Sequence, residues 1–325
     1  MEPGIPSPLD QAILMTLLYA DVFSFPMTAR EIHHFLIGCS ASEEEIEYAT
    51  SNPSAWLTQY IEVGTLNQQP IYTIRKADNT PVFATRQQRD IASTELWSKA
   101  RRYGVLLGHL PFVRMVAITG ALAMRNAGSP QDDLDYLLVV KQGRVWLARL
   151  GAVVLVRVCK VFGVTLCPNY VLADTALEQN RHDLFMAHEL TQMIPLTGQG
   201  IYQQMRSLNQ WADAMLPNAQ APFYPEKDAA PHRVGRWIQA ALELLLSGPI
   251  GHRLEDWERR RKMSKFHSQA TQSTDTVLDA EHVKGHFFDY GSRTLHRFEE
   301  SLKTYNLVSG FEVGQAGEMF SPAAD

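Results

Sequence analysis

The chain has 325 residues, 45% hydrophobic and 20% charged, with no biased or repetitive tract, a length that predicts two or three domains and excludes one ordinary core. Its formal net charge of −5 excludes a global electrostatic drive toward nucleic acid or acidic membranes. Charge is nevertheless uneven: residues 1–81 carry ten acids and three bases (Arg30, Arg75 and Lys76), and the remainder 25 acids and 27 bases.

Leu9 to Tyr19 is apolar at helical spacing, and Asp21-Val-Phe-Ser-Phe-Pro26 breaks it. Thr28 reads as an N-cap, with Glu31 completing a capping box before Ile32, Phe35 and Leu36. Ser42 followed by Glu45 restarts a helix through Ile46 and Tyr48. Two β-like stretches, Tyr60 to Val63 and Ile71 to Ile74, follow, separated by Gly64 and by Asn67-Gln-Gln-Pro70. Three helices and a β-wing predict a winged helix over residues 1–81. Its third helix opens Glu43-Glu-Glu-Ile-Glu47, a run that repels phosphate, so the expected use is packing or protein contact and not DNA binding.

Residues 82–110 predict a long helix and Phe112 to Ile118 a buried strand. Thr119-Gly120 turns into a helix from Ala121 to Asn126, ended by Gly128-Ser-Pro130. Leu134 to Val140 is a second buried strand, Val145 to Phe162 a helix, and Thr165 to Leu172 a third strand. The helix from Val145 reads as buried and not membrane-spanning, because Arg149, Arg157 and Lys160 interrupt it. Beyond Asp183 helices are expected at Leu184–Met193, Ile201–Met215, Val234–Leu246 and Arg293–Tyr305, with Trp211 and Trp237 as core or interdomain anchors. The prolines between Ala219 and His232 mark a loop, Glu255 to Lys265 reads as a solvated helix, and Phe266 to Thr276 and the last dozen residues read as mobile. The expected fold class is α+β, divided into a winged-helix-like unit (1–81), a mixed β-sheet core with flanking helices (82–195) and a mainly helical C-terminal region (196–325).

Three widely spaced cysteines, Cys39, Cys159 and Cys167, make neither a zinc pattern nor a disulfide framework, and the first residues show no basic-then-apolar leader. The expectation is a soluble cytoplasmic protein. His282 and His286 with Asp289 have a spacing open to zinc on a helix, but Gly285 argues against that helix.

The chemistry concentrates on Asp133 and Asp135. Positions i and i+2 of a strand project from the same face, and paired carboxylates at the head of a rigid apolar strand suit a hard divalent cation such as Mg2+ (or Mn2+). Upstream, Gly120 follows a buried strand and opens a helix, where backbone N–H groups can cradle phosphate.

Thr119-Gly-Ala-Leu-Ala123 followed by Asp132-Asp-Leu-Asp-Tyr136 resembles the DNA polymerase beta-like nucleotidyltransferase superfamily, and the run through Cys167-Pro-Asn-Tyr170 to His188-Glu-Leu is similar to a bacterial branch of it with an N-terminal winged helix. The resemblance implies metal-dependent transfer of a nucleoside monophosphate from an NTP to an acceptor: a small molecule, a protein or an RNA end. It implies Asp133 and Asp135 as metal-binding catalytic acids. Thr119, Gly120 and Ala121 become the nucleotide-binding turn, with Arg125 and Arg144 as candidate phosphate contacts. Two positions depart from the superfamily pattern: Ala121 stands where it has serine, and Asn169 falls where the third strand should carry an acid. The alternative reading is a catalytically impaired nucleotide-binding or scaffold protein of the same fold.

Overall fold

In a computed structural model of the chain, residues 5–76, 81–228, 233–270, 277–284 and 290–308 are described. The fold is α+β. The first helix, α1 (Pro8–Asp21), is capped by Ser7, whose side chain accepts from the Asp10 N–H while Asp10 accepts from the Ser7 N–H. Every residue from Asp10 to Ala20 except Gln11 is buried, so this helix is enclosed on almost all sides. Strand β1 (Met27–Thr28) leads into α2 (Ala29–His34), and α3 (Glu43–Ser51) follows. Both helices begin with the expected capping boxes, Thr28 with Glu31 and Ser42 with Glu45.

Strands β2 (Ile61–Leu66) and β3 (Gln69–Ile74) complete a three-stranded antiparallel sheet in the order β1-β3-β2, the arrangement of a winged helix. The wing is longer than its sequence predicts. Asn67 and Gln68, both at positive φ, make a two-residue turn, and Pro70 lies within β3. That proline is tolerated because β1 pairs only with Ile71 and Tyr72, leaving no ladder bond for Pro70 to deny on that side. Gly64 does not end β2: the Phe83 ring lies where its Cβ would be, at 2.4 Å, so the missing side chain is what lets the next helix pack on the strand.

That helix, α4 (Val82–Gly108), runs 27 residues, or about 40 Å. It lies against a six-stranded mixed sheet of order β7-β4-β5-β6-β9-β8. In chain order the elements are β4 (Val113–Ile118), α5 (Gly120–Ala123), β5 (Leu134–Val140), α6 (Val145–Val161), β6 (Leu166–Ala173), α7 (Leu184–Gln192), β7 (Ile194–Thr197), α8 (Gln199–Leu208), α9 (Trp211–Met215), α10 (Arg233–Leu246), α11 (Pro249–Ala270), β8 (Val277–Leu278), β9 (His282–Lys284) and α12 (Tyr290–Thr304). β5 is antiparallel to β4 and parallel to β6. The single helix expected over 201–215 is two, and β7 lies across the expected boundary at 195, pairing with β4. The C-terminal region, mainly helical, also supplies β8 and β9 to the opposite edge of the sheet.

Strand alternation sorts the sheet's side chains into two cores. Val116, Ile118, Tyr136, Leu138 and Val140 join α4 and α6 on one face. Met115, Ala117, Leu137, Val139 and Leu172 face the other way and share one continuous cluster with α1, α7 and α12. The winged-helix unit therefore packs on the same sheet face as the odd-numbered residues of β5. Asp135 belongs to that parity.

The segment from Glu255 to Lys265 is helical, but its acids are not all solvated. Glu255 is 8% exposed and accepts from the N–H groups of Trp146 and Leu147 at 2.9 and 2.7 Å, capping α6 from another helix. Glu258 is fully buried beside Arg261. Glu255→Ala leaves two buried donors unsatisfied and is expected to cost about 2–3 kcal/mol, read as a lowered urea midpoint; an unchanged midpoint would contradict that role. Trp211 is partly buried against the core, whereas Trp237 is 77% exposed and anchors nothing. Its helix, α10, is held instead by Glu243, which takes two bonds from Arg114 and one from the Phe112 N–H. Helix α6, expected to be buried, leaves Val154, Val158, Val161 and Phe162 exposed. The three cysteines are unpaired, and among the described residues no helix is long and apolar enough to cross a membrane. The segment 271–276, the final residues from 309, and His286 and Asp289 lie outside the described residues; His282 is in β9, bonded to Asp279.

Candidate functional site

The site forms where β4 ends and β5 begins. Gly120 opens α5 at φ +65°, a conformation L side chains rarely adopt, and a Cβ there would lie 2.7 Å from Asp135 Oδ2. The Thr119 N–H donates to the Asp135 carbonyl oxygen at 3.1 Å, fixing the turn to the strand. Turn and carboxylate therefore meet only because residue 120 has no side chain.

From the other side Asn169 reaches the same carboxylate. β6 carries a β-bulge: Tyr136 pairs with Pro168 and Leu137 with Tyr170, so Asn169 has no partner in the ladder. Its Nδ2 donates to Asp135 Oδ1 at 2.5 Å, and Cys167 Sγ bonds its Oδ1 at 2.6 Å, which fixes which way the amide faces. The third-strand position expected to hold an acid thus holds a hydrogen-bond donor to the second acid.

Asp133, Asp135 and Asp132 border one open polar cleft with Gln131 and Ala121. Asp132 is already engaged in the loop, accepting from the Gly128 N–H and the Ser129 hydroxyl. Burial raises the Asp135 carboxyl to about 6; Asp133 and Asp132 push the same way, and the Asn169 amide opposes them.

The two arginines part company with the site. Arg144 follows the far end of β5, about 20 Å from Asp135 at roughly 3.3 Å per residue. It is buried, bonded to His252 and the Ser247 carbonyl, and lies over the Phe112 ring. Arg125 lies between the rings of Trp97 and Tyr224 and bonds Thr94. Neither borders the cleft, and no lysine or arginine is among the residues lining it. Ala121, Asp133 and Asp135 border this cleft, and Thr119, Gly120 and Asn169 meet Asp135 from its other side.

Do these residues fit a divalent cation? Among the described residues no group of three or more histidine, cysteine, aspartate or glutamate side chains is placed to hold a metal. The donor set is Asp133 with Asp135, and one Asp135 oxygen is shared with Asn169. That fits a single Mg2+, which keeps several waters and commonly binds through one or two carboxylates plus substrate phosphates. It does not fit a protein cage for two ions.

A second cavity, of about 420 Å3, opens on the other side of Asp135, among α1, α5 and α7. His188, on α7, borders it, stacked 3.9 Å from the Tyr19 ring and 4% exposed. His188 falls within the helix expected at Leu184–Met193, and nothing in the sequence ties it to Asp135. Burial lowers its pKa to about 4, with the nearby His34 acting in the same direction. Below an ordinary value of 6.5 the unfolded chain takes up a proton that the folded chain refuses. Stability from this group is therefore fully present above pH 6.5 and falls, by about 3 kcal/mol in all, as pH drops toward 4. Urea midpoints at pH 7.5 and 4.5 should converge in His188→Gln relative to wild type; an equal acid loss in both would exclude His188 as the cause.

Comparisons of the chain with family models, with curated proteins and with solved structures find no match.

Proposed function

We propose that the protein is a metal-dependent nucleotidyltransferase that moves a nucleoside monophosphate from an NTP to an acceptor hydroxyl. The observation that carries this reading is that Asp135 Oδ2 stands 2.7 Å from where a Cβ on Gly120 would be, while the same carboxylate borders a cleft shared with Asp133. A helix-opening turn for phosphate and a carboxylate pair for a cation are of little use apart; here a glycine that adopts φ +65° without a Cβ lets them come together.

The electrostatics make the cation a requirement. Among the described residues the cleft is lined by three aspartates and no lysine or arginine, so the charged side chains an NTP meets on approaching alone are all negative. Mg2+ (or Mn2+), when bound, supplies the positive charge that joins triphosphate to carboxylates. Asp133 and Asp135 would hold that charge in place, the backbone N–H groups of Gly120 and Ala121 would orient phosphate oxygens, and Thr119, whose N–H is bonded to the Asp135 carbonyl, holds the turn to the strand while Asn169 fixes the Asp135 rotamer. The acceptor oxygen forms a bond to the α-phosphorus, the bond from that phosphorus to the bridging oxygen breaks, and pyrophosphate leaves with the electron pair. The acceptor proton passes to solvent. The free cysteines suit a reducing, cytoplasmic setting, and the acidic face of α3 argues against DNA as the acceptor.

One observation favours the alternative, a nucleotide-binding protein of the same fold without turnover: Asn169 cannot accept a proton from the acceptor as a carboxylate could. Titration of each NTP with and without Mg2+, beside transfer of label from NTP in lysate, separates the two. Wild type should bind only with the metal and transfer label, and Asp133→Ala/Asp135→Ala should lose both. Metal-dependent binding without transfer would favour the alternative, and absence of any NTP binding would refute both.

A further inference from the structure

We infer that the cavity among α1, α5 and α7 is the acceptor site, and that it takes a planar, non-anionic small-molecule alcohol. This rests on the nucleotidyltransferase reading, and adds to it the chemical class of the acceptor. The first support is position. Asp135 and Ala121 border both the polar cleft and this cavity, so the two spaces meet at the carboxylate where transfer would occur. A molecule in the cavity can present one hydroxyl to that point while its body remains on the side away from Asp133.

The second support is the wall. Its about 420 Å3 falls in the lower part of the range small-molecule sites occupy, roughly 300–1,000 Å3. Tyr19, Phe25, Phe35 and Phe185 supply ring faces and Met124 a deformable thioether, a lining that favours flat, apolar ligands over sugars or peptides. Such a lining also excludes a nucleic-acid end, which brings its phosphates along.

The third support is charge. Among the described residues no lysine or arginine lines the cavity, Arg181 standing behind Gly291 and Phe185 and not at its wall, whereas Asp135 does, so an anionic acceptor would be repelled at the point of transfer. His188 does not change that balance, since its ring is neutral at physiological pH. Its Nδ1 lies 2.8 Å from the Leu184 carbonyl, an atom that can only accept; Nδ1 therefore carries the hydrogen, and Nε2 is left as an acceptor. Together with Asn126 and Gln192 at the cavity wall, this gives a small set of neutral polar groups suited to one hydroxyl or amine on an otherwise apolar body.

Equilibrium dialysis of 2-naphthol, 6-hydroxyquinoline and 2-naphthoate against the full chain tests this, with Mg2+·NTP binding measured in parallel. Wild type should bind the two neutral alcohols at least ten-fold more tightly than the carboxylate of the same shape. Ala20→Leu, which fills the cavity from α1, should weaken the alcohols at least ten-fold and change Mg2+·NTP binding less than two-fold. Asp133→Asn should do the reverse. Thermal melting of both variants establishes that each is folded, and Gln192→Trp at the cavity wall replaces Ala20→Leu if that variant is not. If the alcohols fail to bind, bind no better than naphthoate, or are unaffected in the filled cavity while Mg2+·NTP binds normally, the acceptor assignment is overturned and the nucleotidyltransferase reading stands. If the alcohols bind in the cavity but no NTP binds under any condition, the nucleotidyltransferase reading fails, and the acceptor role fails with it.

Discussion

Arg86→Ala is expected to lower the unfolding free energy by about 3–5 kcal/mol, the largest loss from any single substitution considered for this chain. Arg86, on α4, is 1% exposed. Its Nη2 bonds Glu31 Oε1 at 2.9 Å, Nε bonds the Pro26 carbonyl, Nη1 bonds the Arg125 carbonyl, and the guanidinium lies over the Phe25 ring. These partners belong to the winged-helix unit and to the loop after α5, so one side chain ties both to the long helix. Truncation leaves the Glu31 carboxylate buried beside unpaired carbonyls, and the penalty arises mainly from those stranded groups. Glu31→Met combined with Arg86→Met removes both charges and should recover most of the loss. Urea denaturation of wild type, Arg86→Met, Glu31→Met and the double variant gives the coupling directly; a cost below about 1 kcal/mol for Arg86→Ala would show that water or a rearranged partner satisfies Glu31.

Gly120→Ala is expected to weaken Mg2+-dependent NTP binding by about 100-fold, a size typical of displacing a positioned group by about 1 Å. Two effects act together. The φ of +65° is unfavourable for alanine, and the new methyl would stand 2.7 Å from Asp135 Oδ2, closer than atoms pack, so the carboxylate must move away from the turn. Stability should fall less than binding, because Gly120 is only partly buried, at the wall of the apolar cavity beside Asp135. Ala121→Ser is the control: residue 121 is exposed, its backbone is ordinary, and a hydroxyl there adds a donor for phosphate without a change of backbone. It should bind NTP at least as tightly as wild type. Equal binding by Gly120→Ala and wild type would mean that the turn and the carboxylate do not act together.

Local chemistry made much of this fold legible. The capping boxes at Thr28 and Ser42 lie within four residues of sequence, and the apolar run from Tyr136 to Val140 marks the body and end of β5. Non-local features were hidden. Pro195 disguises β7, a four-residue strand whose identity depends on pairing with β4. Glu255 reads as solvent-facing because the amides it caps are more than a hundred residues away. Asp133, Asp135 and Gly120 were readable because motif spacing within one supersecondary unit is a local property. Arg144 was misplaced by ignoring strand direction: a residue after the end of β5 cannot serve a site at its start. The reach of Asn169 needed the bulge, and the aromatic cavity needed α1 and α7 folded onto the same sheet face, neither of which any window of sequence contains.

Helix α1, closed on nearly every side in the finished protein, is covered by α2 and β3 of its own unit and by α12 from the far end of the chain. Synthesis proceeds from the N-terminus at roughly 5–20 residues per second, so α2 and β3 follow α1 within seconds while α12 emerges last. Over the remaining interval the α12-facing side of α1 is apolar surface without its native cover. Yield in cells should therefore depend on translation speed between residues 74 and 290 as well as on the stability of the finished fold.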